Sequence, residues 1–142
     1  MIVLDTDHLS VLQHPESLQA RHLLDRMRES PDQDFLATVV SLEEQTRGWL
    51  AHINRCQDLE KQIPAYDRLA ELVQFYARWE VMRIDRLAAA EFRVLRNAKV
   101  RIGTMDLKIA SIVLGHAARL LSANLSDFQK VPGLWVENWL VP

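Results

Sequence analysis

The sequence is poor in cysteine and in long apolar runs. Its single cysteine, Cys56, excludes an intramolecular disulfide and a cysteine-rich zinc site. The histidines lack the H-E-x-x-H arrangement that binds zinc in metalloproteases. No apolar stretch is long enough to cross a bilayer, and no basic region precedes the short apolar run at the N-terminus. These features predict a cytoplasmic protein without a membrane segment.

The length and composition are those of one globular domain. A chain of 142 residues, 49% hydrophobic and 25% charged, can bury most of its unfolded surface in a single core. The formal net charge of -2 does not indicate nucleic-acid binding, but one nine-residue segment carries four cations and no acid: Arg93, Arg96, Lys99 and Arg101. That segment is either a solvated helix face or a phosphate-binding rim beside an acidic cleft.

Strand-length apolar runs alternate with helical patterns along the chain. The predicted strands are 2–4, 35–40, 81–84, 120–122 and 135–139. The predicted helices are 6–12, 15–29, 41–57, 58–79, 86–99 and 105–119. This alternation predicts an α/β fold in which helices cover both faces of a parallel sheet. Two consecutive helices around 42–79 predict a projecting helical hairpin that offers a partner-binding surface.

Four acids follow predicted strands or begin predicted helices: Asp5, Glu44, Asp106 and Asp127. Sites in open α/β sheets lie at the carboxyl ends of the strands, so these side chains are expected to converge. Converging carboxylates repel one another unless a cation holds them together. The sequence therefore predicts a site for Mg²⁺ or Mn²⁺, which would activate a water for attack on a phosphodiester.

Each acid also has a purely structural explanation. Asp5 can cap the following helix, and Glu44 can be the third helical residue of a capping box that Ser41 begins. Asp106 complements a helix dipole, and Asp127 suits a turn. These separate explanations do not account for the shared location of the four acids, at ends of elements expected to face the same side of the sheet.

The two residues beside Asp5 have open roles at this stage. Asp7 either points away from the other acids or caps the helix itself. His8 either contacts a substrate or packs behind the acids.

Four segments resemble, in order, the motifs of PIN-domain ribonucleases of the VapC toxin class. They are MIVLDTDHLS at 1–10, VSLEEQTRG at 40–48, DLKIA at 106–110 and LSANLSDF at 121–128. In the second motif the acid stands four residues before a glycine, which fits Glu44 and not Glu43. In the fourth, Ser122 stands where the family more often has threonine and keeps the hydroxyl.

The resemblance implies a fold, an activity and partners. The fold is a single PIN-like domain over 1–142, a three-layer α/β/α sandwich with a central parallel sheet of about four or five strands. The implied activity is Mg²⁺- or Mn²⁺-dependent cleavage of RNA, and the implied partners are a second copy of the chain and a VapB-like antitoxin. The implied metal-binding and catalytic acids are Asp5, Glu44, Asp106 and Asp127, oriented by Ser122 and Asn124.

Two cations lie within a helical turn of the acids. Arg47 follows Glu44 by three residues and Lys108 follows Asp106 by two. Their proximity predicts contacts with substrate phosphate, although solvation or pairing with an acid explains them equally well.

Two other functions fit parts of the sequence. Asp5-Thr6-Asp7 also resembles the nucleophile motif of haloacid-dehalogenase-type phosphatases, in which the first aspartate is phosphorylated. Leu9, however, stands where that motif usually has threonine or valine. The other alternative is a non-catalytic RNA- or protein-binding module whose acids are helix caps. Asp127, with no long predicted helix to cap, argues against it.

Overall fold

A computed structural model describes residues 1–142. The strands are β1 Ile2–Leu4, β2 Phe35–Thr38, β3 Val81–Met82, β4 Arg119–Leu121 and β5 Trp135–Glu137. The helices are α1 Thr6–Leu12, α2 Leu18–Glu29, α3 Val39–Arg55, α4 Leu59–Tyr76, α5 Arg86–Asn97, α6 Thr104–Gly115 and α7 Leu125–Phe128. None of these helices is both long and apolar enough to cross a bilayer.

The five strands form one parallel sheet in the order β3-β2-β1-β4-β5. Successive side chains of a strand point to opposite faces, so β1 contributes to two separate cores. Val3 packs into a core with α5 and α6, while Ile2 and Leu4 pack into a core with α1, α2 and α4. The predicted α/β/α sandwich with a parallel sheet is thereby confirmed.

Several element boundaries differ from the predicted ones by a few residues, and helix caps explain two of these differences. Helix α2 begins at Leu18 and not at Pro15, because the hydroxyl of Ser17 accepts a hydrogen bond from the Ala20 N–H and caps it. The β-branched run at 35–40 predicts a longer strand, but β2 ends at Thr38. The Thr38 hydroxyl accepts from the Ser41 N–H at 3.1 Å and therefore caps α3.

The early start of α3 removes the structural explanation for Glu44. With Thr38 as the N-cap, Ser41 is the third helical residue and Glu44 the sixth. A capping box requires the acid at the third helical position, so the capping-box interpretation of Ser41 and Glu44 is wrong. The turn expected around Asp127 is likewise replaced by the short helix α7, which spans Leu125–Phe128.

The pairing of β1 with β4 places the functional segments side by side. Leu4 lies opposite Leu121 in the parallel register, so the next residues, Asp5 and Ser122, leave the sheet together at its carboxyl edge. Helix α1 follows β1 at once and α3 follows β2 at once, which brings both helix N-termini to the same edge.

The glycines of α3 and α6 differ in the space around them. A Cβ on Gly115 would lie 3.1 Å from the Ala88 nitrogen and from the Leu87 carbonyl carbon, both of which belong to the backbone of α5. We therefore expect Gly115→Ala to destabilise the protein by about 1–3 kcal/mol through overpacking. A Cβ on Gly48 meets nothing within 4 Å, so Gly48→Ala should stabilise α3 by about 0.5–1 kcal/mol. Urea unfolding of both variants measures the change in the free energy of unfolding. Equal changes in the two variants would contradict the close approach of α5 and α6.

Candidate active site

Asp5 occupies the middle of the carboxyl edge and is 6% exposed. Its Oδ1 accepts a hydrogen bond from the Thr6 N–H at 2.7 Å, so Asp5 is the N-cap of α1. Its Oδ2 accepts from the Ser122 hydroxyl, also at 2.7 Å. The residue is thus a helix cap and a member of the acid cluster at once.

Asn124 connects the acids of α6 and α7. Its Nδ2 donates to Asp106 Oδ2 at 3.2 Å and to Asp127 Oδ2 at 3.1 Å. Its backbone N–H donates to the Ser122 hydroxyl oxygen at 3.0 Å. A continuous chain of hydrogen bonds therefore runs from Asp5 through Ser122 and Asn124 to Asp106 and Asp127.

Glu44 joins this group from α3. Its Oε1 accepts from the Thr6 hydroxyl at 3.1 Å, and that hydroxyl is also 3.0 Å from the Ser41 Oγ. The neighbouring Glu43 instead forms an ion pair with Arg47. The structure thus turns Glu44, and not Glu43, toward Asp5. Thr6, which sequence reasoning passed over, provides the contact.

Asp7 belongs to the same group, although its sequence position left this open. Its Oδ2 accepts from the Ala123 N–H at 2.8 Å, next to Ser122. Its Oδ1 lies 2.6 Å from Nδ1 of the fully buried His8. The Trp139 N–H donates to His8 Nε2 at 3.2 Å, so that nitrogen accepts and His8 Nδ1 donates to Asp7. His8 therefore packs behind the acids. The available signal for Asp7 was its place in the first turn of α1.

Electrostatic coupling among the carboxylates is strong. Burial and the charge of Asp7 raise the pKa of Asp5 to about 7. Burial, followed by the charge of Asp127, raises the pKa of Asp106, and burial, followed by the charge of Asp106, raises the pKa of Glu44. The pKa of Asp7 is lowered, because the hydrogen bonds from His8 and Ala123 outweigh its burial.

Three of these acids have no cationic partner. Asp127 accepts from Lys130 Nζ at 3.3 Å, and the hydrogen bonds from Asn124 and Lys130 lower its pKa. No lysine, arginine or histidine lies within ion-pair distance of Asp5, Glu44 or Asp106. Negative charge at this edge of the sheet is thus left without compensation by the protein itself.

The candidate ligand atoms are of the type that hard divalent cations bind. They are carboxylate oxygens, the ligands that Mg²⁺ and Mn²⁺ prefer. No three acids, histidines or cysteines converge as a ready-made metal cage. Mg²⁺ does not require such a cage, because it is usually bound through one or two carboxylates and keeps several waters.

The two predicted phosphate-binding cations lie outside this hydrogen-bonded group. Arg47 is exposed and paired with Glu43. Lys108 lines a groove between α5 and α6 together with Phe92 and Arg93. Neither side chain contacts the acids.

Comparison with known proteins gives one sequence relative and several related structures. No protein-family profile matches the chain. The chain is 30% identical over 84 residues to the tRNA(fMet)-specific endonuclease VapC of Salmonella typhimurium. This alignment covers 56% of the chain and 64% of that relative's length.

Solved VapBC structures match the whole fold. The DNA-bound VapBC of Salmonella typhimurium matches with a TM-score of 0.71 and 20% identity, over 97% of both chains. VapBC-1 of nontypeable Haemophilus influenzae matches with a TM-score of 0.70 and 20% identity, over 99% of this chain and 100% of that chain. The chain therefore shares its fold with these VapBC structures, a five-stranded parallel sheet between layers of helices.

Proposed function

We propose that this protein is a metal-dependent endoribonuclease and the toxin of a toxin–antitoxin pair. The observation that carries the proposal is the cluster of carboxylates at the carboxyl edge of the sheet, in which buried Asp5 has no cationic partner. A buried, uncompensated charge costs stability, so its retention favours a role in binding a cation. The sequence relative named as a tRNA endonuclease supports RNA as the substrate.

Asp5 and Asp106 would be the principal metal ligands, and Glu44 and Asp127 would bind directly or through water. A bound Mg²⁺ or Mn²⁺ supplies an activated water and neutralises charge on the leaving oxygen. Ser122 holds the Asp5 carboxylate through its hydroxyl, and Asn124 orients two other acids through its amide.

Helix capping alone does not account for the acids, which weighs against a non-catalytic binding module. Of the four acids, only Asp5 is an N-cap. The N-caps of α3, α6 and α7 are Thr38, Gly103 and Asn124.

We infer that the chain is one PIN-like domain whose hairpin around 42–79 binds the antitoxin, a VapB-like protein. Helix α4 has an apolar stripe whose side chains are 48–70% exposed: Leu59, Ile63, Tyr66 and Val73. An exposed stripe of this kind marks a protein-binding surface. Glu60 and Asp67 flank it, so a basic partner helix is favoured over a second copy of α4. The expected homodimer would then use another face.

Glu44 and Glu43 form a matched pair for testing the nuclease. We expect Glu44→Gln and Asp106→Asn each to lower RNA cleavage in Mg²⁺ or Mn²⁺ by about 100-fold or more, since even outer-shell changes cost about 10–100-fold. Glu43→Gln, which removes the same charge one residue away, should retain activity. Cleavage is measured on labelled RNA with either ion or with EDTA. Cleavage in EDTA, or full activity of Asp106→Asn, would rule out the mechanism.

The raised pKa of Asp5 predicts how stability depends on pH. The Asp5 carboxyl loses its proton near pH 4 in the unfolded chain but only near pH 7 in the folded protein. Its ionisation therefore destabilises the fold as the pH rises through that window. Without metal, Asp5→Asn should therefore stabilise the protein by about 4 kcal/mol near pH 8 and by little near pH 4. Urea unfolding in EDTA measures the difference.

Addition of Mg²⁺ near pH 8 should raise the melting temperature of the wild type and leave that of Asp5→Asn nearly unchanged.

The control for the pH dependence of stability is Asp127→Asn. The pKa of Asp127 is lowered, so removal of its charge should not stabilise the fold. Equal stability of wild type and Asp5→Asn at both pH values would contradict the prediction.

A charge in the α4 stripe should block the antitoxin without harming the enzyme. We expect Ile63→Asp to weaken antitoxin binding by at least about tenfold, because it places a carboxylate in a contact that excludes water. The melting temperature and RNA cleavage should stay close to wild type, since Ile63 is exposed. Lys61→Asp, on the same helix but outside the stripe, is the control. Unchanged antitoxin affinity of Ile63→Asp, measured by titration calorimetry, would place the partner elsewhere.

A further inference from the structure

A groove of about 600 Å³ opens beside the acid cluster. Asp127 is part of its lining, and the remainder comes from α5, the α5–α6 connection and the start of α6. Asn124 links Asp127 to Asp106 through one amide. The groove and the acid cluster therefore share Asp127, and the groove lies beside the place where we expect the scissile bond.

Two cations line this groove and have no acidic partner. They are Arg96 and Arg101, both exposed and absent from every ion pair of the protein. Arg93, from the same basic segment, instead lines the other groove with Lys108. A nucleic acid that approaches the uncompensated acids needs positive charge on its path, and these two guanidinium groups supply it.

Apolar side chains also contribute to the lining of the groove. They include Val100, Ile102 and Leu107, and the ring of Phe92 lies under the Arg96 guanidinium at 5.7 Å. A positively charged groove with an aromatic side chain is typical of sites for single-stranded nucleic acid, in which cations bind phosphates and apolar groups contact bases.

Lys99 is a third exposed cation, outside the groove lining but between Arg96 and Arg101 in the chain, and its backbone position favours glycine. Helix α5 ends with the Val100 N–H donating to the Leu95 carbonyl at 3.1 Å, and Lys99 between them has φ +57°. Helix α6 ends in the same way, with the Ala118 N–H donating to the Val113 carbonyl and Ala117 at φ +50°. Lys99 and Ala117 therefore have the same backbone conformation and differ in side-chain charge.

We propose that Arg96 and Arg101 of the groove, with Lys99 between them in the chain, bind phosphates of single-stranded RNA and hold it against the acid cluster. This assignment rests on the proposed ribonuclease function for the position of the scissile bond. Binding itself is independent of cleavage and can be measured without metal.

The test is binding of a labelled single-stranded RNA of about 12 nucleotides in EDTA, at several salt concentrations. The double variant Arg96→Gln/Arg101→Gln should bind at least about tenfold more weakly. It should also lower the slope of log affinity against log salt by about 1.4, or about 0.7 per lost phosphate contact. Arg21→Gln/Arg55→Gln removes the same charge from exposed residues of α2 and α3 and should change neither quantity by a similar amount.

Lys99→Gly and Ala117→Gly form a second matched pair. Both relieve a left-handed residue and should raise the melting temperature by about 2–4 °C. Only Lys99→Gly should also weaken RNA binding. A variant that is more stable but binds RNA less tightly would show that the Lys99 side chain contributes to the affinity.

The outcomes distinguish the two proposals. Failure of the wild type to bind this RNA at about 50 mM salt, or unchanged affinity and salt slope in the double variant, would overturn the groove assignment. Equally tight binding of duplex RNA would do the same. Wild-type binding that depends on these three cations, without any cleavage in Mg²⁺ or Mn²⁺, would uphold the groove and overturn the ribonuclease.

Discussion

The parallel pairing of β1 with β4 is the interaction on which the site depends. The two strands are buried on both faces, and their register brings Asp5 beside Ser122 as each chain segment leaves the sheet. The Ser122 hydroxyl oxygen accepts a hydrogen bond from the Asn124 N–H. The Asn124 amide in turn donates to Asp106 of α6 and Asp127 of α7. A shift of one residue in this register would turn every side chain of the strand to the other face and separate the acids.

The ionised carboxylates of the acid cluster destabilise the folded protein. Burial and mutual repulsion raise the pKa values of Asp5, Glu44 and Asp106, which means that their ionised forms oppose folding. Hydrogen bonds from Thr6, Ser122 and Asn124 to the carboxylates offset part of this cost. The unpaired guanidinium groups of Arg96 and Arg101 line the adjacent groove, where they form no ion pair with the cluster. This separation of acids from cations suits a polyanion that bridges the two regions.

Sequence patterns predicted the layers of the fold well and its boundaries less well. Strands buried on both faces are short apolar runs, and amphipathic helices repeat their apolar residues, so both are visible locally. The start of α3 was not visible, because Val39 and Val40 favour a strand by propensity while the Thr38 hydroxyl caps a helix there. That local choice decided the interpretation of Glu44, which lies beyond the capping position.

The sequence by itself determined the parallel α/β architecture, the four acids and their order along the chain. These follow from periodicity and from motifs that are continuous in the chain. Only the tertiary structure decided that Asp7 joins the acids and that Lys108 faces another groove. It also decided that Arg96 and Arg101, but not Arg93, lie beside Asp127. The reason is physical: a residue's type sets the charge it carries, but its neighbours across the chain are set by helix rotation and strand register, which depend on packing of the whole core.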